Sequence, residues 1–285
     1  REFDNVIKIG RTQLQDAVPI RLGQEFHAYA SVVRRENGRL KKVADEMRNI
    51  NMGATAIGTS INVNPAYLQN ITKNLSLVSG FELRPAEDLI DATQNADCFV
   101  VVSGALKSCA VSISKIANDL RLMSSGPRAG IGEINLPAKQ NGSSIMPGKV
   151  NPVIPEVVSQ VAFNIIGNDM AVTMAAEAGQ LELNAFLPIL FYNIFESITT
   201  LENAVRTFVD NCVLGITANV ERCHELLSKS VGIITALCPY IGYEKASEIA
   251  KQSLWTGKRI EDIVIKKGLL RKDELDKILD PIAMT

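Results

Sequence analysis

The chain is organised around residues 141–152, whose sequence is Asn-Gly-Ser-Ser-Ile-Met-Pro-Gly-Lys-Val-Asn-Pro. Two glycines and two prolines fall within this stretch, a density that excludes a regular helix or a central strand. Between these residues lie two serines, a lysine and an asparagine. Long stretches with helical spacing flank the segment on both sides. A polar loop on a helical scaffold is a common location for binding and catalytic residues.

Composition indicates a globular chain with a sizeable core. Its 285 residues allow two domains or one large one, and its hydrophobic content is 46%. The near balance of 30 basic and 31 acidic residues gives no electrostatic reason for binding nucleic acid or an anionic membrane. Aromatic residues make up only 5%, which leaves few surfaces for stacking on bases. We therefore expect no nucleic-acid partner and no membrane partner.

Cysteine and histidine usage is typical of a cytoplasmic protein. The five cysteines are odd in number and include no CxxC pair, which favours reduced, buried thiols over disulfides or a zinc site. His27 and His224 are far apart in sequence, which argues against a histidine-based metal site. No stretch reaches the roughly 18 uninterrupted apolar residues of a spanning helix. We expect a cytoplasmic protein without a metal or another cofactor.

Helical periodicity runs through most of the chain. Apolar residues recur at steps of three, four or seven, the spacing of one helix face. Helices of roughly 25 to 40 residues exceed the usual mean of about 11 to 12. Because such helices are apolar around much of their girth, we predict an all-α long-helix bundle that self-associates as a symmetric homo-oligomer. The predicted helices span residues 19–51, 66–79, 87–124, 153–177 and 185–227.

Two local patterns refine this assignment. Pro19 is expected in the first turn of the first long helix, with Asp16 as a possible cap. The last long helix is expected to be interrupted near residues 212–216. Pro and Gly residues indicate that residues 125–152 form one long loop.

After about Ser228 the long helical periodicity ends and shorter predicted helices begin. We therefore divide the chain into a central helical-bundle domain, residues 1–222, and a small helical C-terminal domain, residues 223–285. Basic pairs in the second part could indicate a DNA-binding helix-turn-helix, but acidic residues alternate with them and favour a solvated surface. The predicted short helices lie near residues 229–238, 242–256, 258–267 and 272–279.

The residues of the 141–152 loop suit the binding of an anion. If the loop bends, the Lys149 ammonium and the Asn151 amide could hold a carboxylate or a phosphate. A phosphate loop does not fit, because the spacing from Gly142 has one residue too many and no Ser or Thr follows the lysine. Ser143 and Ser144 could act as nucleophile or base if a cation and backbone N–H groups stabilised an alkoxide. A serine-rich linker without chemistry is the alternative.

Residues 142–152 resemble the GSSxMPxKxNP signature of the aspartase/fumarase superfamily at every fixed position. The resemblance extends over essentially the whole chain. It implies the superfamily's central bundle domain, which forms a twenty-helix core in a homotetramer, followed by the small helical C-terminal domain. Further matching segments are residues 10–17, 125–130, 179–184 and 280–281.

Within this superfamily the resemblance favours the aspartate ammonia-lyases. Its support is the sequence of residues 151–156, the Leu-Arg-Pro-Ala-Glu-Asp-Leu segment at 83–89, and Gln13, where fumarases usually carry histidine. The implied reaction is the reversible deamination of L-aspartate to fumarate and ammonia. Fumarate hydratase, the class II fumarase, is the alternative, and a bundle scaffold that has lost catalysis is a third hypothesis.

The resemblance also implies roles for individual residues. Ser143 would be the base that removes a proton from the carbon beside the side-chain carboxylate, on a loop that closes over substrate. Ser144 and neighbouring N–H groups would hold the resulting aci-carboxylate dianion. Gln13 would contact the amino group of the substrate. The other carboxylate would be held by Thr12, Lys149 and Asn151, and supporting roles would fall to Glu156 and Met146.

The superfamily pattern also includes an N-terminal domain with further Thr, Ser and Asn contacts to substrate. The present sequence starts at Arg1, after that domain, which indicates a piece of a longer protein. Superfamily active sites are built from three subunits of the tetramer. We therefore expect the chain by itself to have little or no lyase activity, although its bundle could still form tetramers.

Overall fold

The computed structural model of the protein describes residues 1–142, 145–280 and 284–285. Ser143, Ser144 and the Pro281 of the last matching segment lie outside the described residues. The predicted division after residue 222 follows sequence order and stays a prediction. By packing, the chain forms two compact units, the first made of Arg1–Ala30, Leu122–Pro137 and Ile216–Thr285 and the second of Ser31–Arg121 and Ala138–Gly215.

The first unit begins with an antiparallel hairpin of β1 (Ile7–Thr12) and β2 (Gln15–Arg21). Its two-residue turn consists of Gln13 and Leu14, which have φ angles of 51° and 63°. Positive φ at both central positions is the geometry of a type I′ turn, whose twist matches that of a hairpin. The loop residues of this turn are therefore held in a defined but strained conformation.

The expectation that Pro19 opens the first helix is wrong. Pro19 lies within β2, opposite Ile9 in the ladder, and the helix α1 (Leu22–Glu46) begins three residues later. Asp16 also lies in β2 and faces Arg11 rather than capping a helix. Proline is tolerated here because both strands of a two-stranded ribbon are edge strands, which need ladder hydrogen bonds on one side only.

Short helices complete the first unit, as the sequence predicts. They share one core with β1, since Ile7 and Ile9 pack among buried residues such as Leu237, Val264 and Leu275. In the same unit, β5 (Ile134–Asn135) and β6 (Thr217–Ala218) pair as a short antiparallel ladder. The helices are α7 (Val220–Lys229), α8 (Cys238–Ile241), α9 (Tyr243–Thr256), α10 (Ile260–Lys266) and α11 (Lys272–Ile278), with a 3₁₀ segment at Gly232–Leu237.

The second unit is the long-helix bundle, which confirms the predicted fold class. α5 (Val153–Glu177) and α6 (Leu187–Asn211) pack along each other, and the rings of Phe99 and Phe191 meet edge to face at 5.0 Å between α4 (Asp97–Met123) and α6. A short parallel ladder joins β3 (Asn49–Ile50) to β4 (Arg84–Pro85). Besides the part of α1 that follows Ala30, the helices are α2 (Pro65–Ser79), α3 (Asp91–Gln94), α4 (Asp97–Met123), α5 (Val153–Glu177) and α6 (Leu187–Asn211).

The single helix predicted over residues 87–124 is divided in the structure, and its long part is shorter than predicted. Its first part is the separate turn α3, and Asn95 then adopts extended backbone before α4 begins. The Asn95 side chain donates a hydrogen bond to Asp91 at 2.6 Å, and the Thr93 hydroxyl donates to the Leu89 carbonyl oxygen at 2.6 Å. Such local side-chain bonds compete with continuous helix, which explains the break.

Buried polar contacts tie α4 to its neighbours. Ser103 of α4 donates to Asp169 of α5 at 2.8 Å, and Lys107 pairs with the same carboxylate. Ser108 and Ser112 both donate to the buried Glu36 of α1. By length and composition alone α4 could also cross a membrane, a property that core helices of bundles share. Its buried hydrogen bonds to α1 and α5 explain how it is held in the bundle.

Candidate active site

The loop before α5 is closed by its own backbone. A Cβ added at Gly142 would lie 2.6 Å from the Lys149 carbonyl oxygen, so the two ends of residues 142–149 lie against each other. The Lys149 N–H donates to the Met146 carbonyl oxygen at 3.2 Å. Gly148 has a φ of 83°, which glycine adopts without strain. Gly142 and Lys149 are therefore close neighbours in the structure.

A sharp bend follows the loop at Pro152. The Val153 N–H donates to the Asn151 carbonyl oxygen at 2.9 Å, and Pro152 has φ −80° and ψ 60°. These values describe an inverse γ-turn, which leads the chain directly into α5. The bend comes after Asn151, so the convergence of the Lys149 and Asn151 side chains stays a prediction.

Glu156 lies in the first turn of α5, where the helix dipole favours a negative charge. Its carboxylate forms an ion pair with Arg121 of α4 at 3.6 Å, and both side chains are more than a third exposed. An exposed pair of this kind contributes little to stability. The structure thus pairs Glu156 with Arg121, while its supporting role in the active site stays a prediction.

Thr12 and Gln13 lie at the tip of the β1–β2 hairpin, and both are exposed. Thr12 ends β1 and pairs with Gln15, which leaves Gln13 and Leu14 as the turn itself. Non-glycine residues with positive φ cost about 1–3 kcal/mol each and cluster at ligand clamps and active sites. The strained turn therefore agrees with a functional tip, whose side chains are presented outward.

A buried ion cluster lies below this tip, and sequence reasoning missed it. Arg11 Nη1 lies 2.7 Å from Glu133 Oε1, and Lys8 Nζ lies 3.1 Å from Glu133 Oε2 and 2.9 Å from Glu25 Oε1. Glu133 is 0% exposed and Lys8 is 2% exposed. The available signal was a charged residue in an otherwise apolar stretch, since Lys8 stands between two isoleucines in β1 and Glu133 stands between Gly132 and Ile134 directly before β5.

Two other segments matched by the superfamily pattern have structural roles here. Arg222 donates to the carbonyl oxygens of Gly130 and Ile131, both at 3.0 Å, which fixes the end of the 125–130 segment. Asn184 donates to the carbonyl oxygens of Ala175 and Ala176 at 3.0 and 3.2 Å. It thereby satisfies acceptors at the C-terminal end of α5 that have no partner within the helix.

The predicted site residues fall into two groups, one in each compact unit. Thr12 and Gln13 share the hairpin tip of the first unit. The second unit brings the other described residues into the loop and the first turn of α5, namely Met146, Lys149, Asn151 and Glu156.

Among the described residues, neither a cluster of metal ligands nor the buried thiols of Cys212 and Cys223 provide a second reactive centre. In that part of the chain, no group of three or more His, Cys, Asp or Glu side chains could hold a metal ion. Burial raises the pKa of Cys212 and of Cys223 to about 11, with the Glu133 charge adding to the effect at Cys223. Both thiols stay protonated and unreactive near neutral pH.

Sequence profiles and related sequences identify the family. A profile described as "Lyase" matches residues 1–167, and one described as "Fumarase C C-terminus" matches residues 233–285. Aspartate ammonia-lyases of a Bacillus species, Bacillus subtilis and Escherichia coli are 55%, 52% and 51% identical to the chain. These matches cover 100%, 100% and 97% of the chain but 61%, 60% and 58% of the relatives. The chain thus spans about three fifths of the length of the curated relatives it matches.

Solved structures agree with the sequence matches. The structure described as fumarate lyase:delta crystallin from Brucella melitensis, bound to cobalt, has a TM-score of 0.95 and is 54% identical. That match covers 99% of this chain and 61% of the other. A class II fumarase from Schistosoma mansoni has a TM-score of 0.96 at 34% identity, over 99% of this chain and 62% of its own. The chain therefore belongs to the lyase family that includes the aspartases and the class II fumarases.

Proposed function

We propose that the protein is an aspartate ammonia-lyase, which reversibly converts L-aspartate to fumarate and ammonia. The observation that carries the proposal is the contrast in sequence identity. Aspartases from three sources are 51–55% identical along nearly the whole chain, whereas the class II fumarase with the same fold is only 34% identical. Because the fold is common to both enzymes, the side chains must decide between them.

Ser143 is the base in this proposal. It takes the proton from the carbon beside the side-chain carboxylate, and the electrons of that C–H bond move into the carboxylate to form the aci-carboxylate dianion. The electron pair then returns from the dianion to form the C=C bond as the C–N bond breaks, and the leaving ammonium group takes the C–N bonding pair away as neutral ammonia. The proton passes from Ser143 to water, which leaves fumarate. The closure of the loop between Gly142 and Lys149 supports this role, because it joins the two ends of the segment that carries the base.

Charge stabilisation is the main task of the remaining residues. Ser144 and backbone N–H groups hold the dianion, where donors fixed in advance lower the barrier most. Thr12, Lys149 and Asn151 hold the second carboxylate, and Met146 and Glu156 support the loop and its junction with α5. Gln13 meets the substrate amino group, since its amide oxygen accepts a hydrogen bond from an ammonium and does not titrate.

A homotetramer with shared active sites is part of the proposal. Large apolar side chains remain exposed on faces of α5 and α6 that point away from their mutual contact. Monomeric proteins rarely leave so much apolar surface in water, so further copies of the chain are the natural cover. We also propose that the enzyme works in the cytoplasm without a cofactor. The exposed residues include Phe163, Met170 and Met174 of α5 and Ile189, Tyr192 and Phe195 of α6.

A substrate comparison tests the proposal. The complete protein that contains this chain is mixed with L-aspartate or L-malate, and fumarate is followed by its absorbance. We expect fumarate and ammonia from L-aspartate and far less product from L-malate. Faster turnover of malate would assign a fumarase, the second candidate, which the TM-score of 0.96 and the C-terminal profile favour. No turnover of either substrate would favour an inactive scaffold.

A single substitution tests the base. Ser143→Ala should lower kcat for L-aspartate by about 10²- to 10⁴-fold, the usual contribution of general-base catalysis. KM should change little, because the hydroxyl acts in the transition state rather than in binding. Ser228→Ala, which removes an exposed hydroxyl that donates to the Glu225 carbonyl oxygen, is the matched control and should leave kcat unchanged. A Ser143→Ala enzyme with full kcat would remove Ser143 from the mechanism.

A further inference from the structure

We propose that Glu133 is a positioning residue that fixes the hairpin tip through Arg11. The tip carries Thr12 and Gln13, so the inference rests on the substrate-binding roles proposed above. Glu133 itself is buried below the tip and acts on substrate binding only by holding the strand.

The first step is the bulge in β1. In a regular strand, residues three apart point to opposite faces, so Lys8 and Arg11 could not reach one carboxylate. The ladder shifts register between Ile9 and Arg11, and both side chains contact Glu133. A Cβ at Gly10 would lie 2.7 Å from the Val18 carbonyl oxygen, so the close approach at the bulge requires glycine. The bulge thus turns the Arg11 side chain toward Glu133, which we call the anchor of the hairpin tip.

The second step is that the anchor, Glu133, is itself held rigidly by its backbone hydrogen bonds. The Glu133 N–H donates to the Met123 carbonyl oxygen at 2.9 Å, and its own carbonyl oxygen accepts from the Asn219 N–H at 2.8 Å. The next residue, Ile134, pairs with Ala218 in the β5–β6 ladder. Both backbone groups and the carboxylate of Glu133 are therefore held at once.

The third step concerns the balance of charges in the cluster. Lys8 Nζ also donates to the Ile9 carbonyl oxygen at 3.1 Å and to Glu25, so two cations face two carboxylates. Buried ion pairs add little net stability, because desolvation offsets their attraction, but removing one partner is strongly unfavourable. What such a cluster provides is a fixed geometry. Here it fixes the position of Arg11, the residue just before Thr12.

The last step is that the tip residues Thr12 and Gln13 directly follow the part of β1 that is held in place. Ile7 and Ile9 are fixed in the core, and Arg11 is fixed by its 2.7 Å ion pair with Glu133. Thr12 and Gln13 follow at once and are exposed. Their orientation therefore depends on the position of Arg11 as well as on the ladder pair of Thr12 with Gln15.

Glu133→Gln tests the proposal in the complete protein, with Glu36→Gln as the matched control. Glu36 is 2% exposed and accepts from Arg39, Ser108 and Ser112, so it is an equally buried carboxylate that serves the bundle instead. Both variants should unfold at lower temperature. Only Glu133→Gln should raise KM for L-aspartate, by about ten- to a hundredfold, with a smaller change in kcat. Equal KM in Glu133→Gln and wild type, or the same rise in both variants, would overturn the proposal.

Two further measurements keep the result decisive. If Glu133→Gln does not fold, Arg11→Gln leaves the Lys8–Glu133 pair in place and should give the same rise in KM. Amide hydrogen exchange of residues 11–15 tests the anchor without any substrate. Faster exchange there in the Glu133 or Arg11 variant, and not in Glu36→Gln, supports the anchor even if L-aspartate is not the substrate. Unchanged exchange would refute it, whichever reaction the enzyme catalyses.

Discussion

At the scale of single residues, Gly142 decides whether the loop before α5 can close. A side chain there meets the Lys149 carbonyl oxygen at 2.6 Å, a distance that backbone cannot accommodate without moving apart. We expect Gly142→Ala to lower kcat/KM for L-aspartate by about ten- to a hundredfold, because small misplacements of reacting groups have effects of that size. Steady-state kinetics of the complete protein provide the measurement.

Gly38→Ala in α1 is the control for this change. Apart from its chain neighbours and the backbone of its own helix, no described residue lies within 4 Å of a Cβ added at Gly38. Alanine in a helix is favoured over glycine by about 0.5–1 kcal/mol, so this variant should unfold at a higher temperature with unchanged kinetics. Wild-type kinetics in Gly142→Ala would show that closure of the loop does not matter for catalysis.

The two kinds of site residue differ in how far the sequence predicts them. Lys149 and Asn151 lie in one continuous motif, so the sequence shows that they belong to the same loop, whereas the convergence of their side chains stays a prediction. Glu133 and Arg11 are 122 positions apart, and their contact depends on a bulge and a fold that no local pattern encodes. The sequence shows only that each charged residue follows a glycine near apolar residues, and the partner of each charge has to come from the structure.

At the scale of elements, the hairpin turn stores strain at Leu14. Its φ of 63° is unfavourable for a residue with a Cβ, whereas glycine adopts it freely. Leu14→Gly should therefore raise the free energy of unfolding by about 0.5–1 kcal/mol, the relief of strain less the extra entropy of the unfolded chain. It should also raise KM for L-aspartate, since a freer turn presents Gln13 less well.

Leu77→Gly should instead lower the free energy of unfolding, and this variant serves as the comparison. Leu77 is as exposed as Leu14 but lies in α2, where glycine is less favourable by about 0.5–1 kcal/mol. Denaturant unfolding of both variants measures the two changes. If both substitutions destabilise alike, the turn is not strained in solution.

Helix bounds were predictable wherever local rules act without competition. α2 has Asn64 as its cap, Pro65 in the first turn and Gly80 in a left-handed C-cap, and the predicted bounds differ by one residue. The prediction was wrong at Pro19, because a two-stranded ribbon accepts proline, and wrong at Asn95, because its side chain bonds back to Asp91. In both cases a tertiary or side-chain contact overrode a rule based on sequence spacing.

At the scale of the whole molecule, α5 carries a stripe of exposed apolar side chains that we predict to be covered by further copies of the chain. Phe163, Met170 and Met174 are 65%, 62% and 64% exposed and lie at steps of seven and four, so they form one stripe along the helix. The periodicity already predicts this surplus, because α5 is apolar around more of its surface than α4 and α6 can cover. Further copies of the same chain would cover the stripe.

Met170→Glu tests self-association at this stripe. Burying a methionine side chain contributes about 1.5–3 kcal/mol in each copy, whereas a buried unpaired carboxylate is strongly unfavourable. We expect the variant to sediment as a smaller species than the wild type and to lose activity with it, since the proposed active sites take residues from several subunits. Lys251→Glu, an exposed charge reversal on α9, is the control and should change neither property. A Met170→Glu protein that keeps the wild-type mass would show that α5 is covered in another way. One that dissociates yet retains full activity would instead show that each subunit holds a complete site.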